Sequence, residues 1–286
     1  MPVVYVNGRI SDAADAVIPV FDHGFLYGEG VYETLRTYGG KPFLFDAHMK
    51  RLRRSAGMIS LEVPGTDAEM MEKIRATVAA EKGIAEAYIR ILITRGVGEL
   101  TYNLAATPVP STIIIVKPFP EPPAAHFSEG IALAVVSVRR NHPSALNPRI
   151  KSNNLLNNAL AMQEAIRQGA EEALMLNQQD EIAECSQSNF FIVKGGKVST
   201  PPLTAGLLPG ITREFVFEVG KDAGVPVEER TMHTADLWDA DEAFITGTTR
   251  EITPVVKVDG HAFGDGKPGA TTLTLLKVFR EKALKA

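Results

Sequence analysis

The middle of the chain reads Arg149-Ile150-Lys151-Ser152-Asn153-Asn154-Leu155-Leu156-Asn157-Asn158. A strand-like run over residues 131–138 precedes it, and apolar residues at helical spacing follow it over residues 154–168. A lysine at such a junction can be a buried amine, which loses part of its proton affinity and becomes a nucleophile. Most lysines are solvated surface charges, so the pattern alone leaves Lys151 open to both interpretations.

The composition is that of an ordinary globular protein. Hydrophobic residues make up 45% and charged residues 22% of the 286 positions, a length that allows one large domain or two smaller ones. The net charge of −4 argues against a nucleic-acid partner, because phosphate binding favours a basic surface. No apolar run reaches membrane-spanning length, so no membrane partner is expected.

The single cysteine, Cys185, cannot form an internal disulfide. Residues 1–9 resemble a strand and turn and not a signal peptide, so both features favour the reducing cytoplasm. We predict that Cys185 is a small packed residue and not a reactive thiol, because no histidine or lysine lies close to it in sequence.

A proline-rich stretch divides the chain. Four prolines follow Lys117 within six residues, and such a run cannot continue a sheet or a helix. We therefore predict a small N-terminal α/β domain over residues 1–117, a linker over 118–128 and a large C-terminal domain over 129–286.

Periodicity predicts the main elements on both sides of the linker. Strands are expected at residues 3–6, 17–20 and 88–96, and helices at 45–59 and from a cap at Asp67 to about residue 82. Arg90 and Arg95 interrupt the third strand and need partners or a wet face. The second half alternates strands and helices, with strands at 131–138, 173–176, 190–193 and 243–246, and helices at 154–168, at 212–223 and from 271 onward.

Six short segments, spread over nearly the whole chain, form one ordered set. They are Asp22–Glu33 (DHGFLYGEGVYE), His48–Leu52 (HMKRL), Ile150–Ser152 (IKS), Glu184–Phe190 (ECSQSNF), Leu208–Arg213 (LPGITR) and Gly247–Pro254 (GTTREITP). The set resembles the class IV (fold type IV) pyridoxal-phosphate aminotransferases, which include branched-chain aminotransferases, D-amino-acid transaminases, R-selective amine transaminases and aminodeoxychorismate lyase. The resemblance implies an α+β fold of two domains with pyridoxal 5'-phosphate bound between them.

The resemblance also implies how the reactive part of the cofactor is held. Lys151 occupies the place of the lysine that forms a Schiff base with the cofactor and then moves a proton at the substrate Cα. Glu184 stands where the family has the glutamate that keeps the pyridine nitrogen protonated, and Leu208 resembles the residue that packs against the ring. Without the resemblance, Glu184 would pass as a surface residue and Leu208 as a core residue.

A phosphate site is implied at the start of the helix after Gly210. A helix N-terminus offers free N–H groups and a favourable dipole, and here it would present Ile211 and Thr212. Arg51 and Thr248 match the family's other phosphate contacts. Arg51 also fits a solvated basic run, because three more basic residues lie beside it. No metal site is expected.

Substrate contacts are implied by the same comparison. The N–H groups of Thr248 and Thr249 could receive a substrate carboxylate, although a plain turn would look the same. Tyr27, Tyr32 and Tyr88 match substrate-side positions of branched-chain enzymes, and fit core or dimer contacts equally well. Arg90 falls in a Tyr-Ile-Arg pattern, in which the arginine takes the side-chain carboxylate of glutamate.

The chain departs from each subfamily in one place. Branched-chain enzymes often carry a tyrosine shortly after the lysine, where this chain has Leu155. D-amino-acid transaminases carry an Arg-x-His after a Thr-Arg-Gly sequence, where this chain has GVGELTYN over residues 96–103. This mixture could mean relaxed specificity that includes R-configured amines.

The resemblance therefore predicts transamination between an amino acid and 2-oxoglutarate. An L-branched-chain amino acid is favoured, as in branched-chain amino-acid biosynthesis, and the enzyme is expected to be a homodimer or higher homo-oligomer in which the loop from Val97 to Ala106 reaches the partner's pocket. A D-amino-acid or R-selective amine transaminase is the alternative. A lyase of the aminodeoxychorismate type and a non-enzymatic ligand-binding relative also remain open.

Overall fold

The chain forms two β-sheets, each covered by its own helices, in a computed structural model that describes residues 2–285. The predicted α+β class is confirmed. The protein divides into unit 1, Met1–Pro120 with Ile150–Asn154, and unit 2, Glu121–Arg149 with Leu155–Ala286.

Unit 1 contains an antiparallel sheet of six strands in the order β2-β1-β6-β5-β3-β4. The strands are β1 (Val3–Val6), β2 (Arg9–Asp12), β3 (Gly30–Tyr38), β4 (Lys41–Pro42), β5 (Ala87–Thr94) and β6 (Ser111–Pro118). The helices are α1 (His23–Leu26), α2 (Phe45–Gly57) and α3 (Asp67–Ala80), with 3-10 turns at Ala13–Asp15 and Leu104–Ala106.

Alternation along β5 gives the unit 1 sheet two different faces. Ile89, Ile91 and Ile93 are fully buried and pack with apolar residues of α2 and α3 into one core. Tyr88 and Arg90 point to the opposite, half-buried face, as a period of two requires. The core fixes the position of this second face, which carries several of the predicted substrate residues.

Unit 2 contains a mixed sheet in the order β12-β11-β10-β13-β14-β7-β8-β9, with β15 paired to β14. The strands are β7 (Ile131–Val135), β8 (Glu172–Leu176), β9 (Ile182–Cys185), β10 (Asn189–Lys194), β11 (Lys197–Thr200), β12 (Val227–Glu229), β13 (Glu242–Gly247), β14 (Glu251–Val258) and β15 (His261–Ala262). The helices are α4 (Ala125–Ser128), α5 (Leu156–Arg167), α6 (Ile211–Ala223), α7 (Thr234–Trp238) and α8 (Ala270–Ala283), with a 3-10 turn at Leu203–Ala205.

Small side chains let α5 lie close to the unit 2 sheet. Ala161 and Ala165 are fully buried and pack with Ala173 and Met175 of β8. Cys185 lies in the main core of the unit, which confirms that it is a packed residue. Burial raises the pKa of its thiol well above the usual value, which makes the thiolate still less accessible.

Three details differ from the sequence predictions. The expected strand at 17–20 does not form, and Val17 and Val20 are exposed instead of paired. Thr66, not Asp67, caps α3, because its hydroxyl accepts the N–H of Glu69 while the Glu69 carboxylate accepts the N–H of Thr66. Helix α5 begins at Leu156, two residues after the predicted start.

The segment that carries Lys151 groups with unit 1, although the predicted boundary of 129 placed it in the C-terminal domain. Ser152 forms a bridge with Val31, so the segment extends the unit 1 sheet. The predicted linker also contains helix α4, and β6 continues through Pro118. Among the described residues, no helix is both long enough and apolar enough to cross a membrane.

Candidate active site

Lys151 is held on the edge of β3 by main-chain hydrogen bonds. Its carbonyl accepts the N–H of Tyr32 at 2.9 Å, and its own N–H donates to the hydroxyl of Ser55 at 3.2 Å. Ser55 is fully buried on α2. The lysine main chain is therefore fixed by a strand and a helix, while its side chain remains directed along the half-buried face of the sheet, over Tyr32.

A glycine makes this docking possible. The N–H of Asn153 donates to the carbonyl of Gly30 at 2.9 Å. A Cβ added at Gly30 would overlap the side-chain amide of Asn153 and would lie 2.8 Å from the carbonyl oxygen of Ile93. The glycine of the Gly-Glu-Gly motif is thus required for the close approach of the Lys151 segment.

Tyr32 brings two of the predicted residues together. The Lys151 Nζ lies 4.4 Å and the Arg90 guanidinium carbon 4.1 Å from the centroid of the Tyr32 ring. Burial raises the pKa of Tyr32, but Lys151 and then Arg90 lower it by more, so the net pKa lies below the usual value.

The other two predicted tyrosines make different contacts. Tyr88 is two residues from Arg90 on the same face of β5, and the Lys117 ammonium lies 5.0 Å from the centroid of its ring. Tyr27 follows α1, and its ring packs against those of His23 and Tyr102, with centroid distances of 4.9 and 5.1 Å. Sequence spacing alone carries no sign that Tyr27 and Tyr102 meet.

Arg51 is buried and paired, which excludes the interpretation that it belongs to a solvated run of basic residues. Its guanidinium donates to both oxygens of Glu33, with Nε at 2.6 Å and NH2 at 2.8 Å, and the Nδ1 of His48 donates to the same carboxylate at 2.7 Å. Burial raises the pKa of Glu33, but Arg51 and His48 hold it far below its usual range. Burial lowers the pKa of His48, so a neutral ring faces the carboxylate.

Sequence reasoning missed Glu33 and His48, although two signals were present. Glu33 lies between the buried Val31 and Leu35 on the same face of β3. Its carboxylate is therefore directed into the core and needs a partner. His48 and Arg51 are three residues apart, which places them on one face of α2.

Glu184, on β9 of unit 2, is buried and accepts hydrogen bonds from neighbouring groups, so it is not a surface glutamate. Its Oε1 accepts the Nε of Arg140 at 2.7 Å. Its Oε2 accepts the amide of Asn189 at 3.2 Å and the main-chain N–H of Leu208 at 3.1 Å. A guanidinium at this distance stabilises the ionised carboxylate. Arg140 was not predicted.

The start of α6 lies beside Glu184 and its partners Arg140, Asn189 and Leu208, which we call the Glu184 group. The Asn189 amide also donates to the carbonyl of Leu208 at 3.1 Å, and an added Cβ at Gly210 would overlap the Asn189 side-chain oxygen. Gly210 caps the helix, and the N–H groups of its first turn have no acceptor within the helix. Thr212 is buried in that first turn, and Ile211 is half-buried.

Two buried hydroxyls near this helix lack hydrogen-bond partners. Among the described residues, neither Thr246 Oγ1 nor Ser188 Oγ makes a hydrogen bond, although both residues are buried. Thr246 lies opposite Asn189 in the sheet register, and Ser188 precedes Asn189. Buried hydroxyls are normally satisfied, so these two point to a polar group that binds beside them. An anion at a helix N-terminus answers that requirement, and the donor set of unit 2 therefore fits pyridoxal phosphate.

Thr248 and Thr249 lie in the turn between β13 and β14. The turn is closed by the N–H of Arg250, which donates to the carbonyl of Gly247 at 3.0 Å. Both threonines are half-buried, so their N–H groups and hydroxyls lie in a partly enclosed setting. Thr246, at the end of β13, leads directly into this turn.

Comparisons with known proteins agree on one family. The model of the family described as amino-transferase class IV matches residues 30–258. A protein of Methanocaldococcus jannaschii, provisionally named a branched-chain-amino-acid aminotransferase, is 39% identical over 97% of this chain and 95% of its own length. A D-alanine aminotransferase of Listeria monocytogenes is 36% identical over 99% of this chain and 96% of its own length. The crystal structure of a branched-chain amino acid aminotransferase from "T.th." with pyridoxamine 5'-phosphate matches with a TM-score of 0.93 and 30% identity, over 99% of this chain and 94% of its own.

Proposed function

This chain belongs to the class IV aminotransferases, which depend on pyridoxal phosphate, and on that premise we propose that it transfers the amine of an L-branched-chain amino acid to 2-oxoglutarate. The observation that carries the proposal is the Tyr32 ring, over which the Lys151 ammonium and the Arg90 guanidinium both lie. One cation is assigned to the chemistry and the other to substrate recognition.

Lys151 is the covalent anchor and the general acid–base. Bound pyridoxal phosphate supplies the electron sink that makes the substrate Cα–H acidic. The Lys151 amine, once freed by the substrate amine, would take the proton from the substrate Cα and deliver it to the C4′ carbon of the cofactor. Its main chain is fixed by Tyr32 and Ser55, so only the side chain has to move.

Glu184 is assigned to the pyridine nitrogen. Arg140 favours its ionised form, and an ionised carboxylate keeps a neighbouring ring nitrogen protonated. Leu208 is assigned to the ring face.

The phosphate is assigned to Ile211 and Thr212 at the start of α6, with Thr248 and Arg51 as further donors. The helix N-terminus supplies N–H groups and a favourable dipole. Glu33 accepts two hydrogen bonds from Arg51 and so fixes the orientation of its guanidinium.

Substrate recognition is assigned to the Thr248–Thr249 turn and to the half-buried face of β5. The turn receives the α-carboxylate through its N–H groups. Arg90 can take the side-chain carboxylate of glutamate, while Tyr88 and Leu92, on the same face of β5, suit an apolar side chain. One face can therefore serve both halves of the reaction.

A second candidate is D-amino-acid or R-amine transamination. The D-alanine aminotransferases among the relatives and Leu155, in place of the branched-chain tyrosine, favour it. A half-reaction separates the candidates: the purified, cofactor-loaded protein is mixed with L-leucine, D-alanine or R-1-phenylethylamine, and loss of the absorbance of the lysine-bound cofactor is followed. We expect fast conversion by L-leucine alone. Conversion by D-alanine or the amine alone would refute the L-branched-chain assignment. Release of pyruvate from aminodeoxychorismate without a keto acid would indicate a lyase, whereas pyruvate formed from D-alanine would indicate transamination.

We also propose that the protein is a homodimer. Two neighbouring segments of unit 1 expose large apolar side chains, and Asp22 and Val97 bridge them. The exposed side chains are Val17, Val20, Phe21, Phe25, Val97, Leu100, Tyr102 and Val109. A contiguous patch of this kind is typical of a protein interface, and Val97 to Ala106 is the loop assigned to the partner's pocket. Light scattering should give a dimer for the wild-type protein and a monomer for Phe25→Asp; a monomeric wild-type protein would refute the proposal.

A further inference from the structure

Glu172, the first residue of β8, is a carboxylate with no exposed surface. Its Oε1 accepts the N–H of Ala173 at 3.0 Å and the hydroxyl of Ser186. Its Oε2 makes no hydrogen bond among the described residues and lies 3.5 Å from the NH2 of Arg250. Burial raises the pKa of Glu172, and Arg250 acts in the opposite direction. The Arg250 guanidinium therefore faces a fully buried carboxylate oxygen, and removal of either partner would leave the other charge uncompensated in a partly or fully buried setting.

Arg250 is part of the turn that carries Thr248 and Thr249. Its N–H donates to the carbonyl of Gly247 at 3.0 Å, and its own carbonyl accepts the hydroxyl of Thr253 at 2.6 Å. The main chain of Arg250 thus closes the turn, while its side chain reaches Glu172. A restraint on the guanidinium is therefore a restraint on the turn.

The first turn of α5 connects this pair to the Glu184 group. The Asn158 amide donates to the carbonyl of Ser186 at 2.6 Å, and Ser186 donates its hydroxyl to Glu172. The preceding residue, Asn157, accepts the NH1 of Arg140 at 3.0 Å. Two adjacent asparagines therefore contact two glutamate–arginine pairs of unit 2 whose carboxylates are buried.

We propose that Glu172 is a positioning residue that, through Arg250, orients the N–H groups of Thr248 and Thr249 toward the α-carboxylate of the substrate. The inference rests on the proposed function of that turn. It predicts that Glu172 governs the affinity for carboxylate-bearing ligands while leaving proton transfer at Lys151 nearly unchanged.

A neighbouring ion pair provides a matched control. Glu251, the residue after Arg250, is buried and accepts the Nε of Arg280 at 2.7 Å. Arg280→Gln breaks a glutamate–arginine pair next to the turn without removing Glu172 or Arg250. A purely structural effect of losing charge near the turn should appear in this variant as well.

The test uses the cofactor-loaded full chain and the variants Glu172→Gln, Arg250→Gln, their double variant and Arg280→Gln. Calorimetry gives the Kd of 4-methylpentanoate, a carboxylate without an amine, and the L-leucine half-reaction gives kcat and KM. Glu172→Gln should raise this Kd and the KM about tenfold, which is the cost of one charge-assisted contact, with kcat within about twofold. Arg280→Gln should leave the Kd unchanged.

The double variant supplies the decisive comparison. If the residues act as one unit, its Kd should equal that of either single variant and should not multiply the two effects. Independent effects, or an equal loss in Arg280→Gln, would overturn the inference. If the wild-type protein converts D-alanine and not L-leucine, the branched-chain assignment fails while the calorimetric test still stands. If the wild-type protein binds no carboxylate, the inference falls with the assigned role of the turn.

Discussion

Glu33 in unit 1 and Glu184 in unit 2 are both buried carboxylates, but their partners differ. Both oxygens of Glu33 are bonded by side chains from α2, Arg51 and His48, at 2.6 to 2.8 Å. One oxygen of Glu184 accepts the Nε of Arg140 at 2.7 Å, and the other accepts two longer bonds from neutral donors at 3.1 and 3.2 Å.

This difference separates a structural carboxylate from one that can act on a ligand. The lone pairs of Glu33 are directed at its own chain, so its charge fixes Arg51 and lowers its own pKa. Glu184 is paired with Arg140 through one oxygen, and its other oxygen is bonded by neutral donors beside the start of α6. Substitution should therefore cost stability at both positions, because each leaves a buried guanidinium without this counter-charge, and should in addition slow the chemistry at Glu184.

Of the substitutions considered, Lys151→Ala should reduce turnover the most. Without the amine, the covalent anchor and the general base are both lost, and turnover should fall roughly 10³- to 10⁴-fold. Absorbance of the lysine-bound cofactor should disappear. Lys50→Ala, at an exposed position on α2, should retain both signals. Substantial turnover in Lys151→Ala would refute the assigned role.

Glu33→Gln tests the structural side of the comparison. It leaves a buried guanidinium without its counter-charge, which typically costs about 3 to 5 kcal/mol of unfolding free energy. Denaturant unfolding measures the loss. The control is Asp67→Asn, which breaks the partly exposed pair with Arg53 and should cost less than about 1 kcal/mol.

The same pair predicts a pH dependence. Because the pKa of Glu33 is lowered by folding, its stabilisation is present above the pKa of an unfolded glutamate, about 4.3, and is lost as pH falls below it. Folding also lowers the pKa of His48, which stays neutral in the folded protein. The folded protein therefore loses stability relative to the unfolded chain as pH falls below about 6.5. The wild-type protein should therefore weaken from about pH 6.5 downward, and Glu33→Gln should show a flatter profile below about pH 4.3.

Glu184→Gln tests the chemical side. The amide keeps the size of the side chain but cannot hold a proton on the ring nitrogen, so turnover should fall on the order of a hundredfold while the cofactor stays bound. Exposed Glu171→Gln serves as the control. Equal unfolding losses in Glu184→Gln and Glu33→Gln, with unchanged turnover, would erase the distinction between the two carboxylates.

Local patterns explain which parts of the fold were predictable. Alternation along β5 and the apolar face of α2 are properties of a short window, so both elements were predicted. The strand expected at 17–20 failed because its apolar residues are exposed and not paired, which a short window cannot reveal. The Asp67 cap was displaced by one residue, the usual uncertainty of a helix boundary.

Partners distant in sequence explain what was missed at the candidate site. Lys151 and Glu184 were predicted as site residues from motifs of the family. Arg140 and Arg250 contact glutamates that lie tens of residues away, and their pairing follows from strand order and register, which the sequence does not state. The glutamates alone could have been suspected, since a carboxylate in a core register needs a cation.

Arg90→Ala should have the smallest effect and shows how finely the unit 1 face is divided. If Arg90 binds the side-chain carboxylate, the KM for glutamate should rise about tenfold, while the KM for leucine should change little, because only glutamate loses a charge-assisted contact. Arg90→Lys keeps a cation near Tyr32 but lacks the planar fork, so its KM for glutamate should lie between the two. Loss of Arg90 should also raise the pKa of Tyr32, which a spectrophotometric titration would detect, since Arg90 helps to lower that pKa. An equal rise in the KM values for glutamate and leucine, together with a raised pKa of Tyr32, would mean that Arg90 supports the Tyr32 ring and does not bind substrate. Of the two cations over that ring, Lys151 alone would then keep a role assigned toward a ligand.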